Sequence, residues 1–129
     1  MILVDTSIWI EFFNKKTHTF ITEASVGQIV ISPPIIQEIL QGIKSDLDNK
    51  KIKEILLSFT IVPSVMSVNL FLKASDIYRM GRKKGYTIRS SVDCLISAIA
   101  IDNGIPICHK DRDYTHIAKY TELKIINKF

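Results

Sequence analysis

The sequence predicts a three-layer α/β domain in which a short, mainly parallel sheet is flanked by helices. Short apolar runs at Ile2–Val4, Ile29–Ile31 and Ile105–Cys108 suit strands buried on both faces. Between them, apolar residues recur at helical spacing. No repeat, low-complexity tract or long linker breaks the alternation, which points to one domain over residues 1–129.

Met1-Ile2-Leu3-Val4-Asp5-Thr6-Ser7 opens the chain with the first strand. Asp5 ends it, and Thr6 or Ser7 is placed to cap the amphipathic segment Ile8 to Phe13. Lys15 to Glu23 is polar and reads as a loop. After the second strand, Ile29–Ile31, come Pro33 and Pro34, suited to the first turn of a helix. Ile35, Ile36, Ile39, Leu40 and Ile43 give that helix one buried side. Asp46 to Lys51 reads as a charged linker, and Ile52, Ile55, Leu56 and Phe59 form another helical stripe. Ile61-Val62 is a weak third strand stopped by Pro63. Ser67 starts a longer helix that ends near Gly85. Ser90 or Ser91 then caps an apolar helix, Val92 to Ile101, closed by Asn103-Gly104. Ile105–Cys108 is the fourth strand. A short helical piece, His116 to Tyr120, leads to a last strand, Leu123–Ile126.

At 129 residues, 47% hydrophobic and 23% charged, the chain is large enough for one core. No apolar run nears the ~18 residues of a membrane span. The opening strand lacks a preceding basic stretch and meets a carboxylate at once, unlike a signal peptide. Cys94 and Cys108 form neither a disulfide framework nor a CxxC pair, so both are expected reduced in a cytoplasm. The net charge of +4 suits a polyanionic partner without specifying one.

Acids stand just after strands, or early in the helices that follow: Asp5, Glu38, Asp93, and Asp111 with Asp113. Each has an ordinary explanation. Asp5 fits a turn or helix cap; Glu38 fits a solvated helix face; Asp111 and Asp113 fit loop acids paired with Lys110 and Arg112. Asp93 gains from the positive end of its helix dipole. Yet that helix is apolar nearly all round, and a carboxylate entering such surroundings needs a partner or a cation. The joint reading is stronger. Parallel strands deliver Asp5 and the loop after Cys108 to one sheet edge, where open α/β sheets hold their ligands. Acids gathered there repel one another unless something positive sits among them. Oxygen ligands without adjacent His or Cys point to Mg²⁺ or Mn²⁺, and such a centre suits phosphodiester hydrolysis.

Four motifs in this order resemble the PIN-domain ribonucleases, and among them the VapC-type toxins of toxin–antitoxin pairs. They are Ile2-Leu3-Val4-Asp5-Thr6-Ser7, the Pro-rich entry to the helix with Glu38, Ser91-Val92-Asp93-Cys94-Leu95-Ile96, and Asp111-Arg112-Asp113-Tyr114. The resemblance covers nearly the whole chain. It implies a PIN-like fold and Mg²⁺-dependent endonucleolytic cleavage of RNA, a tRNA or ribosomal RNA loop included, with Mn²⁺ substituting. It also implies a homodimer and a cognate antitoxin that pushes a basic side chain into the acidic pocket. By that resemblance Asp5 and Asp93 are the principal metal ligands, and Glu38 holds metal or its water. The last acidic ligand is Asp111 or Asp113. Thr6 or Ser7 lines the site, and Tyr114 stands where the family often has Phe.

The basic residues Arg79, Arg82, Lys83, Lys84 and Arg89 precede the Asp93 helix. They read either as cations complementing a helix C-terminus or as a patch gripping RNA phosphates. Trp9, Phe12 and Phe13 suit core packing, and Cys94 a small buried hydrophobe. His18, His109 and His116 show no metal spacing. Three other functions compete: a housekeeping RNA-processing nuclease without an antitoxin, a receiver-like signalling domain and a non-catalytic RNA-binding module. The receiver reading fails on Asp5, which lacks an acidic neighbour, and on Ile61-Val62, which meets Pro63. The RNA-binding module fails because acids in an RNA groove repel phosphate when no metal is present.

Overall fold

The computed structural model describes residues 1–14 and 27–126. The expected loop at Lys15 to Glu23, and His18 within it, lie outside the described residues. Five strands form one sheet in the order β3-β2-β1-β4-β5. They are β1 (Ile2–Val4), β2 (Ile29–Ile31), β3 (Thr60–Ile61), β4 (Ile107–Cys108) and β5 (Ile125–Ile126). Every pairing is parallel, in the register Ile2 to Ile29, Leu3 to Ile107, Val30 to Thr60 and Ile107 to Ile125. All carboxyl ends therefore face the same edge. β1, buried at every position, is central. The chain leaves it first toward β2 and β3, then crosses to β4 and β5. That reversal makes the edge beside β1 a crevice.

Six helices among the described residues flank the sheet: α1 (Thr6–Phe13), α2 (Pro33–Gln41), α3 (Asp46–Leu57), α4 (Val68–Lys83), α5 (Ser91–Asp102) and α6 (Arg112–Ala118). They pack as two runs, α1 on α2 on α3 and α4 on α5 on α6, which meet where α2 touches α5. The core takes Leu3, Val4, Ile31 and Ile107 from the sheet, and Trp9, Ile35, Leu56, Ile96, Ile99 and Ile117 from the helices. Trp9 stacks on Phe13 and meets Phe12 and Phe59 edge-on, so the early aromatics are packing residues. Cys94 and Cys108 are buried free thiols. No helix among the described residues is long and apolar enough to cross a membrane.

Two sequence expectations need correction. Asp46 to Lys51 is no linker but the first half of α3. Ser45 caps it, accepting from the Asp48 amide, and Asp46 and Asp48 occupy the first turn. Acids there complement the exposed amides of a helix N-terminus, so the charges mark a beginning rather than a gap. The last helix starts at Arg112, four residues before the expected His116, because Asp111 caps it. Other bounds differ by less. β3 begins at Thr60, although Val62 still donates to the Ile31 carbonyl at 2.8 Å. β4 and β5 retain only the paired ends of their predicted runs. α4 starts after Ser67 as expected, and Gly85 just beyond it has φ +85°, a conformation that favours glycine.

Candidate metal centre

Asp5 follows β1 directly. Its amide donates to the Cys108 carbonyl at 2.9 Å, which ties it to the end of β4. Its extended backbone starts α1, so Asp5 itself is the cap that Thr6 or Ser7 was expected to provide. Asp5 Oδ2 accepts from the Ser7 amide at 3.3 Å and the Ser7 hydroxyl at 2.9 Å. Thr6 donates from Oγ1 to Glu38 Oε1 at 2.9 Å, bringing α2 to the same edge. Asp93 lies in the first turn of α5, nine-tenths buried. Asp111 caps α6, its Oδ1 accepting from the Asp113 amide at 2.9 Å, and Asp113 is buried in the first turn.

Tyr114 joins these segments. It is fully buried, and its hydroxyl lies 2.8 Å from Asp5 Oδ1 and 3.2 Å from Asp93 Oδ1. A phenol has one proton, so it donates fully to only one of two carboxylates at a time. Carboxylate oxygens of Asp93, Asp111 and Asp113 lie within 4.8 Å of one another. Asp93 Oδ2 is buried with no hydrogen-bond partner among the described residues. Arg89, in the segment before α5, faces the group. Its amide donates to Asp113 Oδ2 at 3.1 Å, its Nε lies 3.6 Å from Asp113 Oδ1, and its terminal nitrogen donates to Asp111 Oδ1 at 3.1 Å. An open cleft of about 390 Å³ beside them is lined by Ser7, Arg89, Lys110, Asp111 and Arg112. Lys110 also pairs with Glu11 at 2.7 Å.

The electrostatics follow from burial and crowding. Burial, then the charges of Asp5 and Asp111, push the Asp93 carboxyl up to about 7, against a smaller lowering by Tyr114. Burial also raises Glu38; the Thr6 hydrogen bond opposes this, and the Asp5 charge adds to it. Tyr114 is raised well above its ordinary range by burial and by the two carboxylates it touches. His109, at the end of β4, has its ring 5.1 Å from that of Tyr114, and burial lowers its pKa. A buried carboxylate oxygen without a partner is costly unless a cation meets it. The clustered ligand atoms are carboxylate oxygens, a set that suits a hard divalent ion better than the thiolate and imidazole donors of a zinc site.

A PIN domain family model matches residues 2–120. The chain belongs to the PIN domain family. VapC ribonuclease Mb1587 of Mycobacterium bovis is 35% identical over 135 residues, covering 96% of this chain and 96% of its own. Ribonuclease VapC11 of Mycobacterium tuberculosis is equally similar, at 35% identity with the same coverage. Among solved structures, VapBC2 from Rickettsia felis, bound to a DNA fragment from its promoter, superposes with a TM-score of 0.79 at 21% identity, over 100% of both chains. VapBC-1 from nontypeable Haemophilus influenzae gives 0.76 at 16% identity, over 98% of this chain and 97% of that one. At those identities the solved structures speak for the fold. It is the PIN-like α/β arrangement expected from the sequence, with the sheet wholly rather than mainly parallel.

Of the residues singled out in the sequence, Asp93, Asp111 and Asp113 cluster together, and the Tyr114 hydroxyl ties Asp5 to Asp93. Glu38 joins through Thr6, while Ser7 fixes Asp5. Arg89 stands at the acids themselves. Arg79, Arg82, Lys83 and Lys84 lie at the C-terminal end of α4. Arg79 is 4.0 Å from Asp76, and Arg82 sits over the Tyr78 ring. Arg79 and Arg82 also line a groove whose other wall, from Ser91 to Leu95, is the turn of α5 that carries Asp93. The residue that sequence reasoning undervalued is Tyr114. The hydroxyl that distinguishes it from Phe bridges Asp5 and Asp93. A buried tyrosine needs a partner for that group, and this was the available signal.

Proposed function

We propose that this protein is a Mg²⁺-dependent endoribonuclease, the toxin of a type II toxin–antitoxin pair, that hydrolyses RNA phosphodiester bonds in the cytoplasm. The observation that carries the reading is the buried Asp93 Oδ2, without a hydrogen-bond partner among the described residues, beside the carboxylates of Asp111 and Asp113, with Asp5 joined to Asp93 through Tyr114. The VapC ribonuclease names of relatives at 35% identity and 96% coverage support the same activity. The VapBC complexes among the structural neighbours support an antitoxin partner.

Asp5 and Asp93 are the principal ligands, with Asp111 or Asp113 completing the set and Glu38 holding the ion or its water. Mg²⁺ held by these residues, or Mn²⁺ in its place, would supply Lewis acidity toward a phosphate oxygen and an attacking water. The protein's own residues supply the geometry. Ser7 and Tyr114 fix the two oxygens of Asp5; Tyr114 also orients Asp93, and Thr6 aims Glu38. Arg79, Arg82, Lys83 and Lys84 track the RNA backbone along the groove beside α5. Exposed Val68 and Leu72, one turn apart on α4, lie on a face that a second copy of the chain covers in a homodimer.

The test is incubation of end-labelled total RNA with the pure protein, with Mg²⁺ or with EDTA, followed by mapping of the cut ends. Discrete cuts bearing 5′-phosphates, lost in EDTA and lost in Asp5→Asn, are expected. Equal cleavage in EDTA would overturn the metal-dependent reading.

A further inference from the structure

Arg89 stands apart from the other basic residues of its stretch. Arg82 and Lys83 end a helix and Lys84 caps it, whereas Arg89 turns back onto the acids. Its guanidinium spans two carboxylates, Asp111 and Asp113, from the two ends of the same short turn. The planar fork of an arginine suits such a double contact; a single ammonium does not. The main-chain amide of residue 89 adds a third contact, to Asp113 Oδ2. Asp113 is thus held from one side by both the backbone and the side chain of one residue. Its neighbour Asp93 keeps an oxygen without a hydrogen bond among the described residues.

We propose that Arg89 is a built-in counter-cation of this site: it neutralises Asp111 and Asp113 and competes with the divalent ion for them. This rests on the metal-centre reading above. The acids repel one another when no ion is bound. A guanidinium fixed at two of them lets the pocket assemble before the ion arrives. The same positive charge then opposes the ion's approach and weakens its binding. Arg89 is in this sense a positioning residue, acting through Asp111 and Asp113, and its primary contact is not RNA phosphate. Because the main-chain contact to Asp113 survives any side-chain change, variants at position 89 keep the α6 cap anchored while altering the local charge.

The experiment is Mn²⁺ titration of the full-length protein, following the free-ion electron paramagnetic resonance signal, in wild type, Arg89→Lys and Arg89→Gln. Removal of a unit charge about 6 Å from a divalent ion, screened by the water-like dielectric around a mostly exposed side chain, is worth about tenfold in affinity. Arg89→Gln is therefore expected to bind Mn²⁺ about tenfold more tightly than wild type. Arg89→Lys, with its charge kept but its fork lost, is expected to fall between them, and it carries the test if Arg89→Gln does not fold. Thermal unfolding in EDTA is expected to show Arg89→Gln below wild type, with the gap closing under saturating Mn²⁺. Unchanged or weaker Mn²⁺ affinity in both variants would overturn the proposal. Loss of RNA binding with unaltered Mn²⁺ affinity would also overturn it, returning Arg89 to the phosphate-gripping patch. Failure of wild type to bind Mn²⁺ at all would instead overturn the metal centre itself, so the two failures are distinguishable.

Discussion

Asp93→Asn separates the cost of the site from its use. In the metal-free protein, burial and neighbouring acids raise Asp93 from its ordinary 3.8 to about 7. The native state therefore holds a proton there, across that interval, that the unfolded chain has released. Stability contributed by this group falls as pH rises through the interval, because the unfolded state binds fewer protons than the native one. The full shift corresponds to about 4 kcal/mol at pH 8, and to about 3 kcal/mol after allowance for residual solvent screening. Asparagine removes the charge while its amide oxygen still accepts from Tyr114. Relative to wild type in EDTA, Asp93→Asn should gain about 2 kcal/mol between pH 5 and pH 8. Saturating Mg²⁺ at pH 8 should stabilise wild type and leave the variant unchanged, while RNA cleavage by the variant is abolished. Urea unfolding at the two pH values, with EDTA or MgCl₂, reads these quantities. A stability difference between variant and wild type that does not change with pH would refute the electrostatic account. Full cleavage by Asp93→Asn would refute the assignment of Asp93 as a ligand.

Tyr114→Phe removes a hydrogen bond to buried carboxylate and should cost about 2 kcal/mol in EDTA by urea unfolding. Equal stability would show that the hydroxyl is idle. Mn²⁺ affinity should climb as pH rises toward about 7, where Asp93 loses its proton, and level off above it, because ion and proton compete for the same oxygens. An affinity flat from pH 5 to pH 8 would contradict that competition. Charge reversal of Lys83 and Lys84 to Glu should weaken RNA binding and flatten its salt dependence. An unchanged salt slope would leave those residues with a helix-terminal role alone.

The strands and the buried helices were legible because nothing local competes with their apolar patterns. Ile2–Val4 and Ile29–Ile31 are buried at every position, and Val92 to Ile101 forms nearly all of α5. The start of α3 was not, since Asp46 and Asp48 stabilise a helix by charge and capping rather than by burial, and a run of charges looks the same in a solvated loop. The start of α6 escaped for the same reason: Asp111 was read as a possible ligand, and its capping bond to the Asp113 amide is invisible in composition. Within the site, residue types and spacing pointed to the carboxylates, but long-range partnerships did not show. The Tyr114 bridge to Asp5 spans 109 residues and the Arg89 contact to Asp113 spans 24. Arg89 looked like the end of a basic run because sequence records its neighbours along the chain and not those across the fold.

The most direct measurement is anomalous diffraction from crystals of the protein soaked in Mn²⁺. The account predicts a manganese peak within coordination distance of Asp93 Oδ2 and an oxygen of Asp5, beside the Tyr114 hydroxyl. A fully occupied ion elsewhere, with Asp93 Oδ2 left bare, would contradict it.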